Sequence, residues 1–450
     1  MVWTICGRYC LSKPIYSIIY IFSSGNHIAD STQQHLIPAG EESASRSGYT
    51  FYQTDWEELM TVKGFKAAAI AAGLRYSERF DMGLIAADKP AAWAGVFTQS
   101  VCRAAPVIWS AAKAARGTGR AFLVNSGQSN AQTGKIGEEH CRMSAGSLSG
   151  LLHTTDDEIM LASTGIIGQP IKIEAMMAAL PNLVAALRDT EQAFDDFSQA
   201  ILTTDTRAKT ASAEIELGGH KVSLWGCCKG SGMIAPNMAT MLGFVLTDAA
   251  VAPELLQWLT KEGADLTFNR VSVDGDTSTN DSVMVMASGA SGVTVEGGES
   301  LAAFKKAFFE VMKSLAVQIA RDGEGATKLV TVRVRGAAND EEARKAARTV
   351  AESPLVKTAF HGCDANWGRI CMAIGRSGAK FDPYAVDIDL DDVPWIRAGI
   401  DNGREEEATA VMQKKEYVVD INLGAGGCEY DIMTCDLSHE YVTINGSYRS

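Results

Sequence analysis

Apolar residues at Leu301, Phe304, Phe308, Met312, Leu315 and Ile319 recur at steps of three and four, the period of one helical face, and the stripe stops at Asp322-Gly323. The period then changes. Val330, Val332 and Val334 alternate with Thr331, Arg333 and Arg335, which predicts a strand with one buried and one wet face. Asn339 followed by Asp340, Glu341 and Glu342 predicts a capped helix start, because the amide side chain can accept a free N–H and the acids complement the helix dipole. Upstream, the short apolar runs 121–124 and 159–162 predict buried strands that stop at tight turns, Asn125-Ser126-Gly127 and Ser163-Thr164-Gly165. The pattern is that of a mixed α/β chain without internal repeats.

Residues 23–50 break this pattern. They are rich in Ser, Gly, Gln and His with little periodic apolar content, which predicts a linker or disordered arm and places the start of the folded part near Thr54. Before them, Arg8 and Lys13 precede the apolar run 15–22, and no acidic residue occurs before Asp30, as in a targeting segment. Tyr and Ser interrupt that run, it is too short to span a bilayer, and the Arg and Ser richness of a transit peptide is missing. A floppy extension or an early start codon accounts for these residues equally well.

With 450 residues, 46% of them hydrophobic, the chain can bury a large core, and its length predicts two domains. The net charge of -13 repels phosphate backbones and anionic lipid, so the sequence points to small-molecule chemistry, with neither nucleic acid nor membrane as partner. The ten cysteines are scattered and Cys227-Cys228 is the only adjacent pair, which predicts reduced thiols in a cytosol-like compartment. His361 lies near Cys363 and Cys371, but no second pair with ligand spacing accompanies them, and no metal is assigned. The run 274–281, with three carboxylates among hydroxyl residues, misses the EF-hand spacing and is likewise read without a cation.

The run 229–243, KGSGMIAPNMATMLG, sets glycines and a proline around polar residues between apolar stretches. It reads as a Gly-rich loop entering an apolar element, and its plainest interpretation is a tight turn with a buried Thr. The order of its residues excludes a phosphate-binding P-loop. Chemically, Thr240 follows the small residue Ala239 and can attack the preceding carbonyl, shifting the acyl group from nitrogen to its own oxygen, after which water releases it. The new N-terminal Thr then carries a hydroxyl nucleophile and an α-amine of pKa ~7.7 to 8.0, near enough to neutrality to act as general base. That chemistry needs no His, which suits a chain with seven of them and no triad-like setting.

The segment KGSGMIAPNMATML resembles the self-cleavage segment of the ornithine acetyltransferase (glutamate N-acetyltransferase) family of arginine biosynthesis, and the resemblance runs from about Gly64 to the last residue. It is carried in order by GVFTQSVCRAAPV (95–107), LVNSGQSNAQTG (123–134), LASTGIIGQP (161–170), FNRVSVDGDTSTND (268–281), RDGEGATK (321–328), DANWGRI (364–370) and the tail TCDLSHEYVTINGSYRS. The resemblance implies transfer of acetyl from N-acetylornithine to glutamate through an acetyl-threonine intermediate, with ping-pong kinetics. It implies Thr240 as nucleophile and base, cleavage between Ala239 and Thr240, and oxyanion stabilisation by Thr164 and Gly165. Substrate binding falls to Thr203, Lys229, Thr240, Glu324, Asn445 and Ser450. In that set Lys229 would meet an α-carboxylate and Glu324 an amine. The family commonly ends in Thr where this chain has Ser450.

The implied fold is an α/β sandwich with helices outside two stacked sheets (αββα) and a smaller C-terminal α/β part. Along the chain this means an extension over 1–53, a main domain over 54–330 containing the cleavage site, and a C-terminal region over 331–450 completing the active site. Cleavage would give chains 1–239 and 240–450, held as a heterotetramer of two of each. No cofactor is implied, acetyl-CoA stays open as a co-substrate because some family members acetylate glutamate from it, and the expected location is the cytoplasm, or the mitochondrial matrix for a fungal source. Two rival readings remain open from the residues: an N-terminal-nucleophile amidase or aminopeptidase with water as acceptor, and a non-enzymatic binding protein that keeps the fold without cleaving.

Overall fold

The computed structural model describes residues 61–235 and 241–447. The predicted linker, the apolar run 15–22 and the predicted start near Thr54 lie outside the described residues.

The long strand β2 (Met82–Phe97) organises the first part of the chain. Its first half pairs with β1 (Phe65–Ile70) on one side and β3 (Thr118–Gln128) on the other, and β4 (Ile159–Ile166) continues that sheet. At Asp88, Lys89 and Pro90 the strand becomes exposed and its register against β3 shifts between Ala86 and Ala91. Its second half, from Ala92, pairs instead with β10 (Ser282–Ala287), followed by β7 (Leu242–Thr247), β6 (His220–Lys229) and β5 (Lys209–Leu217).

This bend turns one eight-stranded sheet into two stacked faces, and the alternation along each strand gives the layers. Ile85, Phe122, Val124, Met160, Trp93, Trp225, Phe244 and Met284 form the core between the faces. The helix α4 (Glu191–Ala200) contributes Phe194 and Phe197, with Phe194 edge-on to Trp225 at 5.1 Å and Phe197 edge-on to Phe244 at 5.2 Å. Strand neighbours of opposite parity point outward. Leu84, Leu123 and Leu161 pack under α2 (Gly134–Leu151) and α3 (Ile173–Ala185), whereas Val96, Leu224, Val245 and Val283 pack under α5 (Pro253–Leu266) and α6 (Gly298–Arg321). The result is the expected αββα sandwich. α1 (Ala105–Ala114) caps its edge near β4, with the Ser110 hydroxyl donating to the Leu161 carbonyl at 2.7 Å.

The C-terminal sheet has the order β15-β14-β13-β16-β12-β17-β9, where β9 is Val271–Ser272, β12 Leu329–Ala337, β13 Asp387–Leu390, β14 Val393–Arg397, β15 Ile400–Asp401, β16 Glu416–Asn422 and β17 Cys428–Cys435. The remaining short strands, β8 (Ala250–Val251) and β11 (Thr294–Val295), pair only with each other. Val330, Val332 and Val334 enter a core under α7 (Asp340–Ala351), α8 (Pro354–Gly362), α9 (Trp367–Gly375) and α10 (Glu405–Met412). The opposite face carries the predicted polar residues, with Arg335 Nε 2.6 Å and Arg333 3.3 Å from Asp420. α6 ends where its stripe stops, with Asp322 as its C-cap, and Asn339 Oδ1 accepts the Glu342 N–H at 3.0 Å as the α7 cap. Two predicted boundaries change. Asn125-Ser126-Gly127 and Ser163-Thr164-Gly165 are not turns after the strands; they lie within β3 and β4 and pair with each other, because Gly127 and Gly165 let the backbones continue side by side. Among the described residues, no helix is long and apolar enough to cross a membrane.

One polar cluster is sealed into this frame. Lys209, at the start of β5, has Nζ 2.7 Å from Asp205 and 2.5 Å from Asp322, and its side chain is fully buried. Asp322 also accepts from the Thr206 amide at 3.1 Å and from the Thr206 hydroxyl. Burial works to raise the Asp205 pKa, but Lys229, Lys209 and the Gly230 N–H outweigh it and hold the carboxyl at about 2. The cluster joins β5, β6, the 203–206 turn and the end of α6.

Two predictions follow from this packing. A Cβ at Gly119 would stand 2.0 Å from the fully buried Trp93 ring. Gly119→Ala should therefore cost about 1–3 kcal/mol, read as a lower urea midpoint with an unchanged slope. Asp205 is depressed below its unfolded pKa, so its contribution is fully present above pH ~4 and is lost as pH falls through about 2. Asp205→Asn should cost about 3–5 kcal/mol at pH 6, and the gap to the parent chain should shrink by about 2 kcal/mol between pH 4 and pH 2. A gap that stays constant over that window would show that Asp205 is not the titrating group.

Candidate active site

The Gly-rich loop leaves β6 at Lys229, and its described residues, 230–235, are held at almost every position. The Gly230 N–H donates to Asp205 Oδ1 at 2.6 Å, and the Ser231 hydroxyl meets that of Thr204 at 2.8 Å. The Ser231 carbonyl accepts the Glu324 N–H at 2.8 Å. Met233, in the left-handed region at φ 55°, and Ile234 both donate their amides to the Asp274 carboxylate, at 2.6 and 2.8 Å. Tyr441 Oη adds a hydrogen bond to Asp274 at 3.2 Å, and Thr277 Oγ1 donates to the Ala235 carbonyl at 2.9 Å. The run 274–281 thus serves as a clamp for this loop. Ala239, Thr240 and Ser450 lie outside the described residues. The chain resumes at Met241, whose carbonyl accepts the Ser282 N–H at 2.9 Å, and Leu242 is the register partner of both Lys229 and Ser282.

Four of the residues implied by the resemblance gather on this loop. Lys229 is 8% exposed and its Nζ lies 3.8 Å from Asp205, and the Thr203 N–H donates to the same carboxylate at 3.1 Å. Glu324 is 7% exposed and accepts from Asn445 Nδ2 at 2.6 Å. Its carboxylate lies against Gly232, where a Cβ would approach Oε2 to 2.3 Å, so a larger residue there would have to displace the Glu324 carboxylate. Lys229 and Glu324 are therefore not the solvated surface charges that lysine and glutamate usually are.

Thr164 and Gly165 sit at the end of β4, opposite Ser126 and Gly127. Gly165 has φ 127°, and a Cβ there would stand 2.3 Å from the Gly127 carbonyl carbon, so the close backbone approach excludes any side chain. Among the described residues, neither Thr164 nor Gly165 hydrogen-bonds to the other four; they are joined to them through residues 280–282. Asn280 Nδ2 donates to the carbonyls of Ser129 at 2.6 Å and Ser163 at 2.8 Å. The next residue, Asp281, is buried, and desolvation pushes its carboxyl well up despite hydrogen bonds from Ser278 and the Met241 N–H and the charge of Lys229. Asp205, Asp274, Asn280 and Asp281 were not singled out from the sequence. The runs that contain them, 203–206 and 274–281, were visible, but which group each carboxylate would meet is decided by strands far away in sequence. Cys228 is buried as core, its thiol pushed up by desolvation.

The ArgJ family profile matches residues 66–450. The arginine biosynthesis bifunctional protein ArgJ of Desulfotalea psychrophila is 46% identical over 395 residues, covering 87% of this chain and 100% of that protein. The protein of the same name from Chlorobaculum tepidum is 46% identical over 391 residues, covering 86% and 96%. Among solved structures, the arginine biosynthesis bifunctional protein ArgJ of Bacillus halodurans is 45% identical, with a TM-score of 0.44 over 46% of this chain and 98% of that one. The ornithine acetyltransferase of Mycobacterium tuberculosis, solved in complex with ornithine, is 30% identical, with a TM-score of 0.36 over 40% and 94%. With the family profile matching residues 66–450 and 46% identity over almost the whole length of the Desulfotalea and Chlorobaculum proteins, the chain belongs to the ArgJ family.

Proposed function

We propose that this chain is a self-cleaving acetyltransferase of arginine biosynthesis that moves acetyl from N-acetylornithine to glutamate. The observation that carries this reading is the pair of opposite charges, Lys229 and Glu324, each under a tenth exposed and both held against the loop that leads to Thr240. An amino-acid substrate presents a carboxylate and an amine, and this pair offers one counter-charge to each. The names of the relatives support the pathway, and that of the ornithine-bound structure supports the substrate class.

In this reading the Thr240 hydroxyl attacks the Ala239 carbonyl, the acyl group passes from nitrogen to oxygen, and water hydrolyses the ester to free the Thr240 amine. That amine then takes the hydroxyl proton as Thr240 attacks the acetyl carbonyl of N-acetylornithine. Thr164 and the Gly165 N–H stabilise the oxyanion, ornithine departs with the proton, and the acetyl group stays on Thr240. Glutamate enters the same site, and its amine takes the acetyl. Thr203 and Asn445 orient the substrate, and Ser450 contributes its hydroxyl. The chemistry needs no cofactor; acetyl-CoA is a candidate second donor. The two chains form a heterotetramer of two copies each, in the cytoplasm.

The intact mass of the denatured chain tests the cleavage: two species, residues 1–239 and 240–450, with Thr240 at a free N-terminus, are expected, and Thr240→Ala should remain uncut. A parent chain that stays whole would remove the general base and favour a binding protein. N-acetylornithine alone should release ornithine and leave the 240–450 chain about 42 Da heavier. Ornithine release only when glutamate is present from the start would overturn the ping-pong order, and turnover undiminished without glutamate would identify a hydrolase.

A further inference from the structure

Two lysine–cysteine pairs lie in the C-terminal part, and they differ in one respect. Lys357 Nζ is 3.6 Å from Cys435 Sγ and also donates to Thr434 Oγ1 at 2.9 Å and to the Cys435 carbonyl. Cys435 is 1% exposed, and burial pushes its thiol up. Lys328 Nζ is 3.3 Å from Cys363 Sγ and 2.7 Å from the Met412 carbonyl. Cys363 is only half-buried. It caps α8 in the left-handed region at φ 51°, between the exposed Gly362 and Asp364, and its thiol faces the Met412 carbonyl at 3.4 Å.

The surroundings of Cys363 hold two further polar groups in an unusual state. Lys328 is 9% exposed, and among the described residues no carboxylate lies within ion-pair distance of it, so its nearest side-chain partner is the sulfur. Tyr417 is 4% exposed, its hydroxyl has no hydrogen-bond partner among the described residues, and burial pushes its phenol up. A buried hydroxyl left without a partner costs about 1–3 kcal/mol, so it marks a place where an added polar atom would be stabilised. Asp436 itself is filled by the Thr327 hydroxyl, the amides of Thr327 and Lys328, and His361 Nδ1 at 2.8 Å.

We propose that Lys328 and Cys363 form an oxidative cross-linking site, addressed by hydroperoxides. Peroxide transfers one oxygen to the Cys363 sulfur and leaves as water, giving a sulfenic acid next to Lys328 Nζ. Lys328, having released a proton to solvent, attacks the sulfur through Nζ. The N–S bond forms, the S–O bond breaks, and hydroxide departs with the second amine proton as water. Thiol, amine and peroxide thus become a sulfenamide and two waters. The link would tie the end of α8 to the segment that carries Glu324, and it is independent of the proposed acetyl transfer. The other thiols mark the selectivity: Cys141, Cys227 and Cys228 are buried with their thiols pushed up, while Cys102 is exposed and Cys371 and Cys428 are half-buried, and among the described residues none of these three has a lysine hydrogen-bonded to its sulfur.

The full chain, treated with a small excess of hydrogen peroxide and digested without reductant, tests this by peptide mass mapping. The peptides containing Lys328 and Cys363 should appear joined, about 2 Da lighter than their sum, and dithiothreitol should separate them. Lys357 and Cys435 should remain unlinked. Lys328→Arg, checked for folding by circular dichroism, should lose the link while Cys363 still reacts with dimedone as a sulfenic acid. Recovery of Cys363 as a free thiol while Cys102 is oxidised would overturn the proposal, as would its recovery as sulfinic acid or disulfide with Lys328 unmodified.

Discussion

Asp205 is the charge on which the site rests, because its acceptor positions are almost fully taken before Lys229 reaches it. Oδ1 receives Lys209 Nζ at 2.7 Å and the Gly230 amide at 2.6 Å, and Oδ2 receives the Thr203 amide at 3.1 Å. Lys229, at 3.8 Å, gets electrostatic compensation but no hydrogen bond of normal length from this carboxylate. An ammonium buried with partial compensation keeps donors to spare, and in the proposed function a ligand carboxylate would use them without displacing a short hydrogen bond to Asp205. Lys209 makes this arrangement tolerable, since with Asp322 it completes a set of two cations and two anions whose charges cancel. Without that cancellation the desolvation of Lys229 would cost several kcal/mol.

The same cluster explains why the sandwich and the loop cannot be varied separately. β5, β6 and α6 belong to one outer layer of the αββα stack, and the cluster pins their ends together where the Gly-rich loop starts. On the other side, the Asn280 side-chain amide, two residues before β10, donates to the Ser163 carbonyl of β4 and to the Ser129 carbonyl just after β3, so the strand ends that carry Thr164 and Gly165 are tied to the start of β10. In the proposed mechanism this tie would keep the oxyanion donors from reorganising as charge develops.

Periodicity made the regular elements legible. The α6 stripe, the alternation of β12 and the Asn339 cap are local properties, and the structure repeats them almost residue for residue. The ends of β3 and β4 were misjudged because Asn, Ser, Thr and Gly usually mark turns, whereas here paired glycines allow two backbones to run together past the apolar residues. The site divided in a similar way. Lys229, Glu324, Asn445 and Thr203 are named through resemblance, but the residues that fix the loop and strand ends around them, Asp205, Lys209, Asp274 and Asn280, make contacts spanning from 2 to more than 150 positions along the chain. The short-range contacts of Asp205 gain their meaning only from the distant ones. Nor does composition announce the Lys328–Cys363 contact, which is created by the return of α8 against the start of β12.

The position of the proposed cut also has a structural consequence that a linker cut would lack. β6 would end one chain's share of the first sheet and β7 would open the other's, yet these strands are antiparallel neighbours from Leu224 opposite Thr247 to Lys229 opposite Leu242. A second seam runs between β2 and β10, where Phe97 through Ala92 face Ser282 through Ala287. Between the two faces, Trp225 and Phe194 on one side of the cut pack in the same core as Phe244 and Met284 on the other. Breaking one peptide bond removes a covalent tether but none of these contacts. Separating the chains would expose a complete core and two ladders of backbone hydrogen bonds, a cost far larger than the entropy gained by freeing the ends. A fold cut at this place therefore has reason to stay assembled, and a newly formed N-terminus would remain tied, through Met241 and Leu242, to the strand that faces Lys229.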